Sequence, residues 1–453
     1  MRKTHQKVLA AAVAIIASVS LSACAGGTPS TTAGAPPAGT TAVAPPVTTS
    51  AAPETHTISG SSGITLRLTW SGDGQNKELL DNCLKAFTDK TGIGVNVIFI
   101  NGGWADYFTK IQTMVAGGET IDVANVAIEG FQMLVDLGLA TPMEDWAAKN
   151  KDKYDPIVAD ISPAVMQVMN FNGKQYGVPN EWNNVVTHIN SKMLADAGLQ
   201  LPPANWTKDQ FLEYAKAMTK TRADGTKQYG VWPADYYFAM DAWLYNNGTT
   251  FMKDNFTKSN LLDPAVVEMF QFMQDLVYKY QYAPIPQAGM DAAQMLEDGT
   301  LGMYFAGRWP TGKYDADKFK DVTIQYIPNF KTNVPIWGGT GAFVMKDSKH
   351  NDEANQLALY LASPEFVRQW MGAGAIPVLN SVADELVPKL GIPQNYQIFK
   401  ESAATAKAVE APATYADVAN LIQGAITDII TNKADVQTTL KAADAQLNVI
   451  LAG

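Results

Sequence analysis

Between Ile64 and Leu137 the chain switches repeatedly between two hydrophobic periods, and that switching limits the fold more than any other feature. Ile64, Leu66, Leu68 and Trp70 recur at every second residue, with Thr65, Arg67 and Thr69 between them, which is the period of a strand. Leu79, Leu80, Cys83, Leu84 and Phe87 then repeat at helical spacing until Gly92. Val95–Ile100 predicts a second strand, and Trp104, Tyr107, Phe108, Ile111, Met114 and Val115 trace a second helix. Ile121–Ile128 predicts a third strand, and Phe131–Leu137 a third helix stopped by Gly138. Alternation of this kind excludes a helical bundle and predicts an α/β fold with a mainly parallel sheet covered on both faces. Ligands of such sheets sit beyond the carboxyl ends of the strands. That rule points to Trp70–Asp73, to Asn101–Trp104 and to Glu129.

Beyond Pro179 helical patterns dominate. Thr207 with Gln210 three residues on predicts a capping box for a helix through Met218. Asp263-Pro264 and Ser363-Pro364 each pair a capping side chain with a first-turn proline. Cys83 lies within an apolar stripe and His188 within an apolar stretch, so both are expected to be structural. Two cysteines and four scattered histidines exclude a disulfide scaffold and a thiolate or histidine-rich metal centre. A formal charge of −10 leaves no basic footprint for nucleic acid. Asp315-Ala316-Asp317 opens like a calcium loop, but Lys320 stands where glycine is required. Gly338-Gly339-Thr340-Gly341 has neither Walker nor dinucleotide spacing, and no Gly-x-Ser-x-Gly occurs. No cofactor, metal or catalytic residue is therefore expected.

The first residues carry a different message. Arg2, Lys3 and Lys7 precede an apolar run from Val8 to Leu21, too short to span a bilayer and patterned as a secretory signal. The run ends Leu21-Ser22-Ala23-Cys24, which resembles a bacterial lipoprotein box. That resemblance implies a signal peptide at 1–23 and a diacylglycerol on Cys24, hence a chain held extracytoplasmically at a cell membrane. Residues 24–63 are rich in Thr, Pro and Ala with Glu54 as their one formal charge, and are expected to form a disordered tether.

Seven short segments then occur in an informative order. They are Trp70-Ser71-Gly72; Trp104-Ala105-Asp106-Tyr107; Ala116-Gly117-Gly118 before Ile121-Asp122-Val123; Tyr176-Gly177-Val178-Pro179; Ile189-Asn190-Ser191-Lys192-Met193-Leu194; Ala197-Gly198-Leu199 with Pro202-Pro203 and Asn205-Trp206-Thr207; and Gly302-Met303 with Gly307-Arg308-Trp309 and Gly338-Gly339. In this order they resemble the extracellular solute-binding proteins of ABC importers, in particular the carbohydrate-binding, maltose-binding-protein-like group. The resemblance implies two lobes, each a mainly parallel sheet flanked by helices, joined by hinge strands. Lobe one would comprise 64–180 plus 328–378, and lobe two 181–327 plus 379–453. It also implies a monomer that closes on a mono- or oligosaccharide and delivers it to ABC permease subunits.

A sugar presents hydroxyl edges and apolar faces, so its site calls for carboxylates, amides and aromatic rings. Trp70, Asp73 and Trp104 qualify by position, although Trp70 also fits a core and Asp73 a helix cap. Glu129 follows the third strand, where the family places a ligand-binding carboxylate. Asn183 stands at a position where the family has a carboxylate, beside Glu181 and Trp182. Trp232, Tyr236, Asp241 and Trp243 crowd around Pro233. Trp309 matches a stacking tryptophan of the family, and Arg308 beside it suits hydroxyls or an anionic group. Trp337 and Gly339 complete the set. Two alternatives stay open: a surface glycosidase using Glu129 and Glu181, and a binding protein for a solute other than sugar.

Overall fold

The structure, a computed structural model, describes residues 53–72, 76–371, 374, 376–402 and 405–453. The expected signal peptide, Cys24, the tether as far as residue 52, and Asp73 lie outside the described residues. Among the described residues no helix is long and apolar enough to cross a membrane.

The predicted alternation is present. Strand β1 (Glu54–Ile58) is followed by β2 (Thr65–Ser71), helix α1 (Lys77–Thr91), β3 (Gly94–Ile100), α2 (Trp104–Ala116) and β4 (Val123–Ala127). Side-chain alternation along β3 explains why the two helices take opposite faces. Val95, Val97 and Phe99 pack with Leu80, Cys83, Leu84 and Phe87 of α1, whereas Ile98 and Ile100 pack with Tyr107, Phe108 and Ile111 of α2. Each such fully buried side chain contributes on the order of 1.5–3 kcal/mol. Gly92 ends α1 in the left-handed conformation, as its position predicts.

The chain continues through β5 (Gly177–Asn184), β6 (Val186–Asn190), α3 (Lys208–Met218), α4 (Tyr237–Asn246), α5 (Pro264–Tyr278), β7 (Met303–Ala306) and β8 (Val322–Gln325). It closes with β9 (Ile336–Val344), α6 (Asn351–Tyr360), α7 (Pro364–Trp370), β10 (Ile376–Pro377), β11 (Lys407–Ala408), α8 (Tyr415–Ile430) and α9 (Val436–Ala452). The expected caps are formed: the Thr207–Gln210 box on α3, Asp263 on α5 and Ser363 on α7. The large sheet runs β1-β3-β2-β4-β9-β5-β10, with β11 added beside β9, and the small sheet runs β7-β6-β8.

Three expectations need correction. Among the strands of the two sheets in the described residues, β2 pairs in parallel with β3 and β4, and β9 with β11; the other strand pairs are antiparallel. In the small sheet β7 and β8 are joined by the short helix Thr311–Ala316, but β6 lies between them and runs the other way. The tether also ends earlier than residue 63. Thr55, Thr57 and Ile58 give β1 enough β-branched character to pair with β3, and Lys77 bridges to Glu54 at 2.6 Å. Finally, Glu181–Asn184 belong to the large sheet within β5, and so does β11, so the expected lobe limits shift at both points. Only Val185 separates β5 from β6, which makes it the crossing point between the sheets.

Helix α8 belongs to both halves. Tyr415 packs its ring 6.0 Å from Phe108 of α2 and 5.3 Å from Tyr237 of α4. Side-chain hydrogen bonds from Gln423 to the Asp235 carbonyl (2.8 Å) and from Gln274 to the Ile429 carbonyl (2.9 Å) tie α8 to the small-sheet side.

Candidate functional site

A cleft of about 540 Å³ opens beyond the carboxyl end of β4, where the strand-end rule places it. One wall comes from the large sheet: Glu129 on the turn after β4, Glu181 and Asn183 on β5, and Gly338, Gly339 and Thr340 on β9. Trp104 and Asp106 enter from the first turn of α2. The other wall carries Tyr236, Tyr237 and Phe238 at the start of α4, and Trp309 from the turn after β7. Tyr415, Asn420 and Gln423 line it from α8.

Beneath the large-sheet wall a buried hydrogen-bond chain holds the strands in register. Thr340 donates to Asn180 Oδ1 (2.6 Å), Asn180 donates to Asn125 Oδ1 (2.7 Å), and the Tyr107 hydroxyl donates to the Asn125 carbonyl (2.7 Å). Gly339 keeps β9 close to β5, because a Cβ there would lie 2.7 Å from the Glu181 carbonyl. Gly338 admits the Phe238 ring from the opposite wall.

Glu129 is the most unusual group in the cleft. It is 5% exposed, and its Oε2 has no hydrogen-bond partner among the described residues. Burial pushes its carboxyl up to about 7, only partly offset by a bond from its own backbone N–H. Glu181 is also raised by burial, but the Trp370 indole donates to its Oε2 at 2.7 Å, and Thr340 and the positive charge of Arg308 favour its ionised form. A polar wall of acceptors faces a wall of rings, which suits a ligand with hydroxyl edges and apolar faces.

The turn that presents Trp309 is built by its neighbours. The Arg308 backbone N–H donates to Asn183 Oδ1 at 2.8 Å, and a Cβ at Gly307 would collide with the Trp309 ring and the Asn184 carbonyl. The Trp309 ring remains 42% exposed, 6.4 Å from Phe238.

Of the predicted site residues, Trp104, Glu129, Asn183, Tyr236, Trp309 and Gly339 come together here, together with Glu181. The other predicted residues that are described do not line it. Trp70 is in the core, edge-on to Trp370 at 5.1 Å. Trp232 is buried with Leu296, Leu301 and Tyr304. Trp243 is fully buried, with Phe305 at 4.8 Å and Phe211 at 5.4 Å. Asp241 is buried below the cleft, where its Oδ2 accepts the Glu410 backbone N–H at 3.0 Å. Arg308 is buried behind the wall, with Nη1 donating to the Met371 carbonyl at 2.6 Å and the guanidinium over the Tyr396 ring. Trp337 packs behind the wall beside β11. Tyr237, Phe238, Tyr415, Asn420 and Gln423 were missed; spacing at i, i+5 and i+8 along α8 was the available signal for the last three. The expected structural roles of Cys83 and His188 hold. Burial raises the thiol to about 12, and burial holds the imidazole down to about 4 while Nε2 donates to the Gly307 carbonyl at 2.8 Å.

Known proteins with this architecture are numerous. A solute-binding protein of an ABC transporter from Thermotoga lettingae, bound with α-D-tagatose, superposes with a TM-score of 0.75. It is 22% identical, with 86% of this chain and all of that chain covered. The ABC substrate-binding protein Lmo0181 from Listeria monocytogenes, in complex with cycloalternan, gives a TM-score of 0.76 at 21% identity over 85% of this chain and 98% of its own. At those identities the likeness establishes the two-lobe α/β fold. In sequence, an arabinooligosaccharide-binding protein of Halalkalibacterium halodurans is 24% identical over 259 residues, 54% of this chain and 55% of its own length. The profile of the bacterial extracellular solute-binding proteins matches residues 82–401, more than two thirds of the chain, and with a cleft of this kind at the expected strand ends the chain belongs to that family.

Proposed function

We propose that the protein captures a carbohydrate, a mono- or oligosaccharide, in the cleft between the sheets and delivers it to ABC permease subunits without chemically altering it. The observation that carries the reading is the facing of Glu129, Glu181 and Asn183 by Trp309, Tyr236 and Phe238. Carboxylates and amides take hydroxyl edges, while the rings cover C–H faces. The sugars bound to the structural relatives support the same class. A ligand touching both walls stabilises the closed form, since only there are all contacts made.

Thermal-shift and calorimetric screening against neutral and amino sugars tests this. At a ligand concentration 100 times Kd the native state should gain about 2.7 kcal/mol, with a matching rise in Tm. Small-angle scattering should show a smaller radius of gyration at saturation. Release of a shortened sugar would favour the glycosidase instead, and an unchanged scattering curve at saturation would remove the closing motion.

The lipid anchor is part of the same reading, supported by Leu21-Ser22-Ala23-Cys24. Cys24→Ser should shift the protein from membrane to soluble fractions or leave it unprocessed. Normal acylation of that variant would refute the anchor.

A further inference from the structure

The charges around the cleft are unbalanced. Its lining includes the carboxyl groups of Asp106, Glu129 and Glu181, and no Lys, Arg or His. The residues outside the description between 53 and 453 are Asp73, Gly74, Gln75, Gly372, Ala373, Ala375, Ala403 and Ala404, none of them cationic. Glu181 has its own compensation from Trp370 and from Arg308 behind the wall. Arg308 itself is directed to the Met371 carbonyl and the Tyr396 ring. Glu129 has only its own backbone N–H, and another acid, Asp241, is close enough to be raised by its charge.

Two further observations give that imbalance a direction. Glu129 lines the cleft, is 95% buried, and has Oε2 unpartnered among the described residues, so its carboxyl is desolvated without a full set of donors. The same cleft is lined by the aromatic residues Tyr236, Phe238, Trp309 and Tyr415, and an aromatic ring face attracts a cation. A hydroxyl can satisfy the acceptor, but only a cation also neutralises the charge. An anionic sugar meets only acids among the charged lining groups.

We propose that the cleft selects a sugar bearing a protonated amine over the same sugar bearing a hydroxyl, with the Glu129 carboxylate as the counter-ion. This deepens the carbohydrate reading and rests on it. The role asked of Glu129 is specificity, since a neutral sugar can still occupy the rings and the remaining acceptors.

Matched pairs differing only in amine against hydroxyl test it by calorimetry between about pH 6 and 8, the range over which the Glu129 carboxyl ionises: glucosamine and glucose, galactosamine and galactose, mannosamine and mannose, and the β-1,4-linked glucosamine dimer with cellobiose. Any neutral sugar found in the wider screen joins the set with its aminodeoxy analogue. In the pairs that bind, the amine should be roughly tenfold tighter, as a charge-assisted bond is compared with a neutral one. Glu129→Gln should bring that ratio to near one, with the amine partner losing more affinity than the hydroxyl partner, for which the amide still offers an acceptor. A hydroxyl partner that binds as tightly as its amine overturns the selectivity and leaves the carbohydrate reading standing. Binding of putrescine with no sugar bound in either series overturns the carbohydrate reading, and the amino-sugar assignment with it. The comparison within the unsubstituted protein decides the matter even where the Gln variant folds poorly.

Discussion

Trp243→Ala should destabilise the fold by about 3–5 kcal/mol, while Trp309→Ala should leave stability within about 1 kcal/mol and instead weaken sugar binding roughly tenfold or more. The two tryptophans look alike in sequence, and each stands among aromatic neighbours. Trp243 has no exposed surface, and its ring is enclosed by Phe305, Phe330, Phe211 and Phe272 at 4.8, 5.3, 5.4 and 5.9 Å. Truncating it leaves a cavity that these rings cannot collapse to fill. Against a typical total of 5–15 kcal/mol that is a large fraction. Trp309 has less to lose on the folded side, since it is 42% exposed and meets Phe238 at 6.4 Å rather than an enclosing ring of aromatics. Urea denaturation and calorimetry on both variants give the result: stability lost in one and affinity in the other. Trp309→Phe should recover part of the affinity by keeping an aromatic face. Equal losses of affinity in both alanine variants would mean that the cleft wall has been assigned to the wrong residues.

Glu410→Gln should stabilise the protein at pH 8 and flatten its stability profile between about pH 4 and 9. Glu410 and Asp241 are both buried beneath the cleft. Glu410 Oε2 accepts the Phe251 N–H at 2.6 Å, and Asp241 Oδ1 has no partner among the described residues. Burial raises both carboxyls, their mutual repulsion raises Glu410 further, and Glu129 raises Asp241. The groups facing them are the hydroxyls of Tyr237, Tyr245 and Tyr415, all raised in their turn by burial, and no ion pair reaches either acid among the described residues. A carboxyl raised on folding contributes stability that is complete below its unfolded value and is lost as the pH climbs through its folded value. Stability should therefore fall from pH 4 toward pH 9. Glu129, moving from 4.5 to about 7, accounts for about 3 kcal/mol of that fall, at roughly 1.4 kcal/mol per unit. Glutamine at 410 keeps the acceptor for Phe251 and removes the charge. Denaturation midpoints at pH 5 and pH 8 for both proteins make the comparison; a profile for Glu410→Gln as steep as that of the parent would show that the pair does not govern it.

The large sheet was legible because its strands alternate with helices whose stripes are distinct in period. Glu129 was legible for a geometric reason, as the first acid past a predicted strand end. The small sheet was not legible. Its strands are four or five residues long and buried on both faces, so they carry no alternation to read. Trp243 was misplaced because α4 is apolar nearly all round, and such a helix offers no polar face to show which side meets solvent. β1 was hidden by its Thr- and Ser-rich surroundings, which resemble a linker in composition while retaining β-branched residues. The α8 contribution left only a spacing along one helix, and its meeting with Glu129, nearly 300 residues earlier, is set by the tertiary fold.

Helix α8 also has a thermodynamic consequence. Hydrogen bonds from Gln423 and to the Ile429 carbonyl join it to one half, whereas Tyr415 meets Phe108 of α2 by ring contact. The seam that can part without breaking those bonds is therefore the apolar one. Under the proposed closure, parting it would wet hydrocarbon surface, and that surface would be dried again as a ligand draws the halves together. Heat capacity reads this directly: ligand binding should have a more negative ΔCp than the area of a small polar sugar alone would supply, because the protein dries part of its own surface in the same step.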